Sequence, residues 1–101
     1  MINRKNIGLD FDETLCEECC FTVDDVRNAT PRKDFIKKCN ELYDHNFIII
    51  YTARRDHLIA ESLEWLRRNG VKYHAFSNIK VPLDCYIDDK ALHIDDIDKL
   101  L

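Results

Sequence analysis

Five consecutive apolar residues, Phe47-Ile48-Ile49-Ile50-Tyr51, constrain this chain more than any other stretch. A strand with one wet face alternates apolar and polar positions. A run with no polar position is the pattern of a strand buried on both faces, as in a parallel sheet. The three isoleucines also favour extended backbone. Parallel neighbours cannot be joined by a tight hairpin and need a crossover, usually a helix. The flanking sequence supplies two. Before the run, Phe35, Ile36, Cys39, Leu42 and Tyr43 recur at helical spacing. After it, Ile59, Leu63 and Leu66 line one helical face, widened by Leu58 and Trp65.

The remaining elements extend the alternation. Ile7 to Phe11 reads as a first short strand, Val71 to Phe76 as a third and Leu83 to Ile87 as a fourth. Thr30-Pro31 predicts the start of the first helix, with Thr as cap and Pro in the first position. Asp56 predicts the cap of the second, Asn69-Gly70 its stop, and Asp95 to Leu101 a last short helix. Residues 16 to 30 lack periodicity and read as a loop or flap. The expected fold is therefore α/β: a three-layer, Rossmann-like arrangement around a parallel sheet, in a single domain over residues 1–101 with a short flap at about 15–30. Between the motifs there is no room for a large cap domain.

Composition narrows the function classes. The formal net charge is −4, which argues against sequence-independent binding to nucleic acid. No apolar run approaches the roughly 20 residues that cross a bilayer, so no membrane partner is expected. The first residues lead to Asp10 without a signal-peptide stretch, so a cytoplasmic location is expected. Five cysteines, at 16, 19, 20, 39 and 85, are expected to be free, reduced thiols. Cys16-x-x-Cys19 lacks the second pair that a zinc site needs, and Glu17 and Glu18 between the thiols disfavour thiolate. His45, His57, His74 and His93 have no ligand spacing and read as surface or structural.

Polar residues gather where the strands end. Asp10 and Asp12 follow the first strand, Thr52 the second, and Asp88 and Asp89 the fourth, with Lys80 just before it. In an open α/β sheet, ligands bind beyond the carboxyl ends of the strands, so these residues should converge on one crevice. Clustered carboxylates repel one another unless a hard cation joins them, and Mg²⁺ takes one or two carboxylates plus a substrate phosphate. Thr52 and Lys80 are phosphate donors of the right kind. Asp10 is then placed to attack phosphorus, and Asp12 to protonate the leaving oxygen and later deprotonate water.

The sequence resembles the haloacid dehalogenase superfamily. Asp10-Phe11-Asp12-Glu13-Thr14 is similar to its first motif, D-x-D-x-T, and Ile48-Ile49-Ile50-Tyr51-Thr52 to its second. Lys80 is the candidate for the third, and Tyr86-Ile87-Asp88-Asp89 resembles the acidic fourth. With Thr52-Ala53-Arg54, the stretch from Lys80 to Ala91 is similar to short capless members that act as capsule or polysaccharide biosynthesis phosphatases. The resemblance implies a phosphomonoester hydrolase working through an aspartyl-phosphate. It makes Asp10 nucleophile and metal ligand, and Asp12 acid/base and a ligand through its carbonyl. It makes Asp88 and Asp89 ligands to Mg²⁺, and Thr52, Ala53, Arg54 and Lys80 substrate-binding residues. Glu13 stands where the family usually has Gly, and Lys90 rivals Lys80. The expected substrate is a phosphorylated small molecule, a sugar phosphate or a nucleotide, in an open crevice or one closed by a second copy of the chain. Two other classes compete. A response-regulator receiver has related parts in another order, with the acidic pair first and the Lys last. A non-catalytic phosphate- or partner-binding module would have no need of Asp12.

Overall fold

A computed structural model describes residues 4–79, 85–87 and 94–101. Four parallel strands form one sheet in the order β3-β2-β1-β4. They are β1 (Asn6–Asp10), β2 (Phe47–Tyr51), β3 (Ala75–Ser77) and β4 (Cys85–Ile87). The fold is α/β and Rossmann-like, as the alternation predicts. Ile7, Gly8 and Leu9 of β1 are all buried, so this central strand is covered on both faces. In β2, Ile48 and Ile50 are fully buried while Ile49 is partly so.

Helices cover the sheet in two groups. Helix α2 (Lys33–Tyr43) packs with the final 3₁₀ helix, Ile94–Leu100. Helix α1 (Val23–Arg27) packs with α3 (Ile59–Arg68), which a 3₁₀ turn at Asp56–Leu58 leads into. Among the described residues no helix is long and apolar enough to cross a membrane.

Several local expectations need correction. The flap contains a helix, α1, which sequence periodicity alone did not reveal because it is only five residues long. It is held by a capping box: Thr22 Oγ1 accepts from the Asp25 amide, and the Asp25 carboxylate accepts from the Thr22 amide. Thr30 does not cap α2. Its hydroxyl donates to Glu18 at 2.7 Å and Pro31 bridges to Cys16, so the helix begins later, behind Arg32. Those contacts close the base of the flap, with Glu17 N donating to Thr30 O and Arg32 N to Leu15 O, each at 2.9 Å. Asp56 does not cap α3 either; its carboxylate accepts from the Asn78 amide at 2.8 Å. β3 begins at Ala75 rather than Val71, because Val71 still closes the end of α3 through its bond to Leu66 O.

The buried face of α3 is also rotated from the expected one. Leu63 is exposed, whereas Leu58, Ser62, Trp65 and Leu66 are buried. Trp65 stacks at a tilt on Phe11, with ring centroids 5.0 Å apart, and its indole N–H donates to Ala29 O at 3.0 Å. One side chain thus ties α3 to the end of β1 and to the base of the flap.

Candidate active site

The parallel sheet aligns the ends of three strands. Asp10, the last residue of β1, is in register with Tyr51, the last of β2, and Tyr51 with Ser77, the last of β3. Thr52 therefore enters one residue beyond Asp10 on the neighbouring strand. β4 runs parallel on the other side of β1, with Ile87 opposite Leu9, so it too ends at this edge. Asp88 and Asp89 follow Ile87 in sequence; they, Lys80 and Lys90 lie outside the described residues.

Beyond Asp10 the chain turns sharply. Phe11 O accepts from the amides of Thr14, Leu15 and Cys16. The turn puts Glu13 at φ +58°, in the left-handed region. That region costs a non-glycine residue about 1 kcal/mol, which is the physical reason a glycine suits this position. Asp10 Oδ1 accepts from the Phe11 amide at 2.7 Å, which fixes the direction of the carboxylate. Thr14 is fully buried, and its hydroxyl has no partner among the described residues.

Asp12 is held from several directions. Its Oδ1 accepts from the Cys20 amide at 2.9 Å and from Arg54 Nη2 at 2.8 Å. Arg54 Nε lies 3.3 Å from Oδ1 and 3.2 Å from Oδ2. Most of the donor contacts fall on Oδ1, and Oδ2 is reached by Arg54 Nε.

Arg54 is correspondingly buried, its side chain 1% exposed. Nη1 donates to Ser62 Oγ at 2.8 Å, and Ser62 in turn donates to Leu58 O at 2.7 Å. The guanidinium carbon lies 3.7 Å from the centroid of the Phe11 ring, a cation–π contact in a desolvated setting. The sequence reading gave Arg54 to an anionic substrate. The structure turns its guanidinium inward, onto Asp12 and Ser62. Ser62, the Cys20 amide and the Phe11 ring were absent from the expected site. Only Ser62 left a signal: a polar residue on the same helical face as Leu58, Trp65 and Leu66 implies a buried partner.

Thr52 is fully buried. Its amide donates to Ser77 O at 3.1 Å, extending the β2–β3 ladder. Its hydroxyl accepts from the Arg54 amide at 3.1 Å, which leaves the hydroxyl proton to donate. Ala53 is exposed beside it.

The thiols separate by environment. Cys16, Cys20 and Cys39 are buried and Cys19 is exposed, so Cys16 and Cys19 do not form a pair. Burial pushes the Cys16 thiol up, and Cys20 up to about 12, against the pull of Arg54. Cys19 is also raised, by desolvation and then by the carboxylates of Asp12, Glu13 and Asp10. Asp12, Cys16 and Cys20 bring ligand atoms within 4.8 Å of one another. Arg54 already supplies that cluster with a cation, 2.8 Å from Asp12 and 3.8 Å from Cys16 Sγ. His74 is structural, accepting from the Ile48 amide through Nδ1 and stacking between Tyr43 and Phe47.

No family model and no curated protein matches this sequence. Among solved structures, the chain is similar to a conserved protein from Bacteroides thetaiotaomicron, with a TM-score of 0.68. The likeness is one of fold. It spans 89% of this chain and 79% of the other at 22% identity.

Proposed function

We propose that this chain is a Mg²⁺-dependent phosphomonoester hydrolase of the haloacid dehalogenase type, acting in the cytoplasm on phosphorylated small molecules. The observation that carries the reading is the register at the strand ends. Asp10 is paired with Tyr51, so the candidate nucleophile and Thr52 leave the sheet at neighbouring strand ends, with a second carboxylate, Asp12, held in place two residues on. The D-x-D-x-T resemblance supports the same roles.

Asp10 attacks phosphorus and displaces the ester oxygen, forming an aspartyl-phosphate. Asp12 gives its proton to the leaving oxygen and later takes one from the water that releases phosphate. Arg54 holds the Asp12 carboxyl group through both steps. Thr52 donates its hydroxyl proton to a phosphoryl oxygen. The donor set fits a hard cation: Asp10 offers a carboxylate and Asp12 a main-chain carbonyl, both oxygen, with Asp88 and Asp89 as further ligands. Mg²⁺ bound there would neutralise charge on the transferring phosphoryl group.

The test is phosphate release from p-nitrophenyl phosphate. Turnover with Mg²⁺ should vanish on chelation. Asp10→Asn should abolish both turnover and covalent phosphoenzyme. Asp12→Asn should lose a factor of roughly 10² to 10⁴. Near-normal release by Asp10→Asn would transfer the nucleophile's role to water and end the aspartyl-phosphate reading.

A further inference from the structure

A crevice of about 440 Å³ opens beside Asp12, between the flap and the start of α3. Its volume is in the range of small-molecule sites. A larger hollow of about 620 Å³, beside the start of α2, is lined by neither Asp10, Asp12 nor Thr52. The crevice is lined on the flap side by Cys19, Cys20 and Phe21, and on the α3 side by Ala53, Leu58, Arg55 and His57.

Phe21 is the informative residue. It directly precedes the cap of α1, where an apolar side chain ordinarily packs on the fourth helical residue. That residue, Val26, is fully buried, yet Phe21 is 73% exposed. The ring is therefore not used to staple the helix and stands at the rim of the crevice. Arg55 and His57 are exposed, and Arg55 makes no ion pair among the described residues. The neighbouring Asp56, which would be its nearest acid in sequence, is engaged by Asn78. Asp12 itself lines the crevice, which places the crevice against one of the reacting carboxylates.

This inference rests on the hydrolase reading, because it assigns the crevice through the proton that Asp12 delivers. Asp12 lines the crevice, so a leaving oxygen that takes its proton must carry the rest of the substrate into that space. We propose that the crevice seats the leaving group, and that this group is an aromatic ring bearing a negative charge. Phe21 and Leu58 contact the ring, and Arg55 with His57 receives the charge.

The test separates binding from chemistry. With Mg²⁺ present, calorimetry measures the affinity of three non-hydrolysable probes: methylphosphonate, phenylphosphonate and 4-carboxyphenylphosphonate. Phenylphosphonate should bind about tenfold tighter than methylphosphonate, and the carboxylated probe tighter again by a similar factor. Phe21→Ala should erase the first gain and Arg55→Gln only the second. Both residues are exposed, so neither change endangers the fold. Equal affinity for all three probes, or gains that survive both substitutions, would overturn the proposal. Phosphate release from phenyl, 4-carboxyphenyl and glyceryl phosphates is measured alongside. No release from any ester, with the phosphonate pattern intact, would leave the crevice standing and remove the hydrolase reading. Release without discrimination among the phosphonates would do the reverse.

Discussion

Two arginines reach across the chain to carboxylates, one beneath the flap and one on its outer surface. Arg54 meets Asp12 at 2.8 Å and Arg27 meets Glu61 at 2.7 Å. The distances are nearly equal, but the surroundings are not. The Arg54 side chain is 1% exposed and has further partners in Ser62 and the Phe11 ring, whereas the Arg27 side chain is 55% exposed. Water competes at the outer arginine and barely reaches the inner one, while the carboxylates Asp12 and Glu61 are each 20% exposed. The difference teaches that separation alone does not rank ion pairs; desolvation and the number of satisfied donors do.

The largest effect should follow from breaking the inner pair. Arg54→Met should destabilise the fold by about 3 kcal/mol, because Asp12 is left without its counter-charge. Urea unfolding measures this. Adding Asp12→Leu to that variant should restore part of the loss, since the uncompensated charge goes with it. A loss near zero for the single variant would show that water solvates Asp12 as well as Arg54 does and that the two pairs are alike. Under the hydrolase reading, Arg54→Met should also reduce turnover of a poor leaving group more than that of p-nitrophenol, as Asp12→Asn does.

An intermediate effect should appear at the flap base on acidification. Glu18 accepts from both the amide and the hydroxyl of Thr30 at 2.7 Å, and these bonds hold its carboxyl below the ordinary 4.5. A depressed folded value means that the stabilisation is complete above about 4.5 and is lost as pH falls through the lowered value. Hydrogen exchange at the Thr30 amide should therefore lose protection in that window, and Glu18→Gln should remove the pH dependence. Unchanged protection down to about pH 2, below most carboxylates, would mean the flap is held by the Cys16–Pro31 bridge instead.

The smallest effect belongs to the outer pair. Arg27→Gln should leave the urea midpoint within measurement error, with or without added salt. A resolvable, salt-insensitive loss would make Arg27–Glu61 resemble the inner pair and would erase the contrast.

Residue by residue, the chain's legibility follows the range of the interactions involved. Phe47 to Tyr51 could be read as a strand because five apolar residues admit few other solutions, and it is strand β2 with the same bounds, although Ile48 and Ile50 are buried while Ile49 and Tyr51 are only partly so and Phe47 is exposed. Helix α2 was legible in its periodicity but not in its start, because the Thr30 hydroxyl donates to Glu18 instead of accepting from an amide of the helix terminus. Leu63 and Ser62 show the same limit on α3. Hydropathy favours burying the leucine, but the helix turns Ser62 inward to receive Arg54.

The sequence by itself determined the alternation of strands with the two main helices, the parallel sheet that the alternation requires, and the placing of Asp10 and Thr52 at strand ends. These follow from local periodicity and from the rule that parallel strands need crossovers. Only the tertiary structure decided what Arg54 does. Residues separated by 42 positions meet in its bond to Asp12, and no spacing rule along the chain encodes such a contact. Whether an arginine faces substrate or interior depends on the acceptors waiting there. Here those acceptors come from the β1 end and α3, which are brought together by packing of the Phe11 and Trp65 rings.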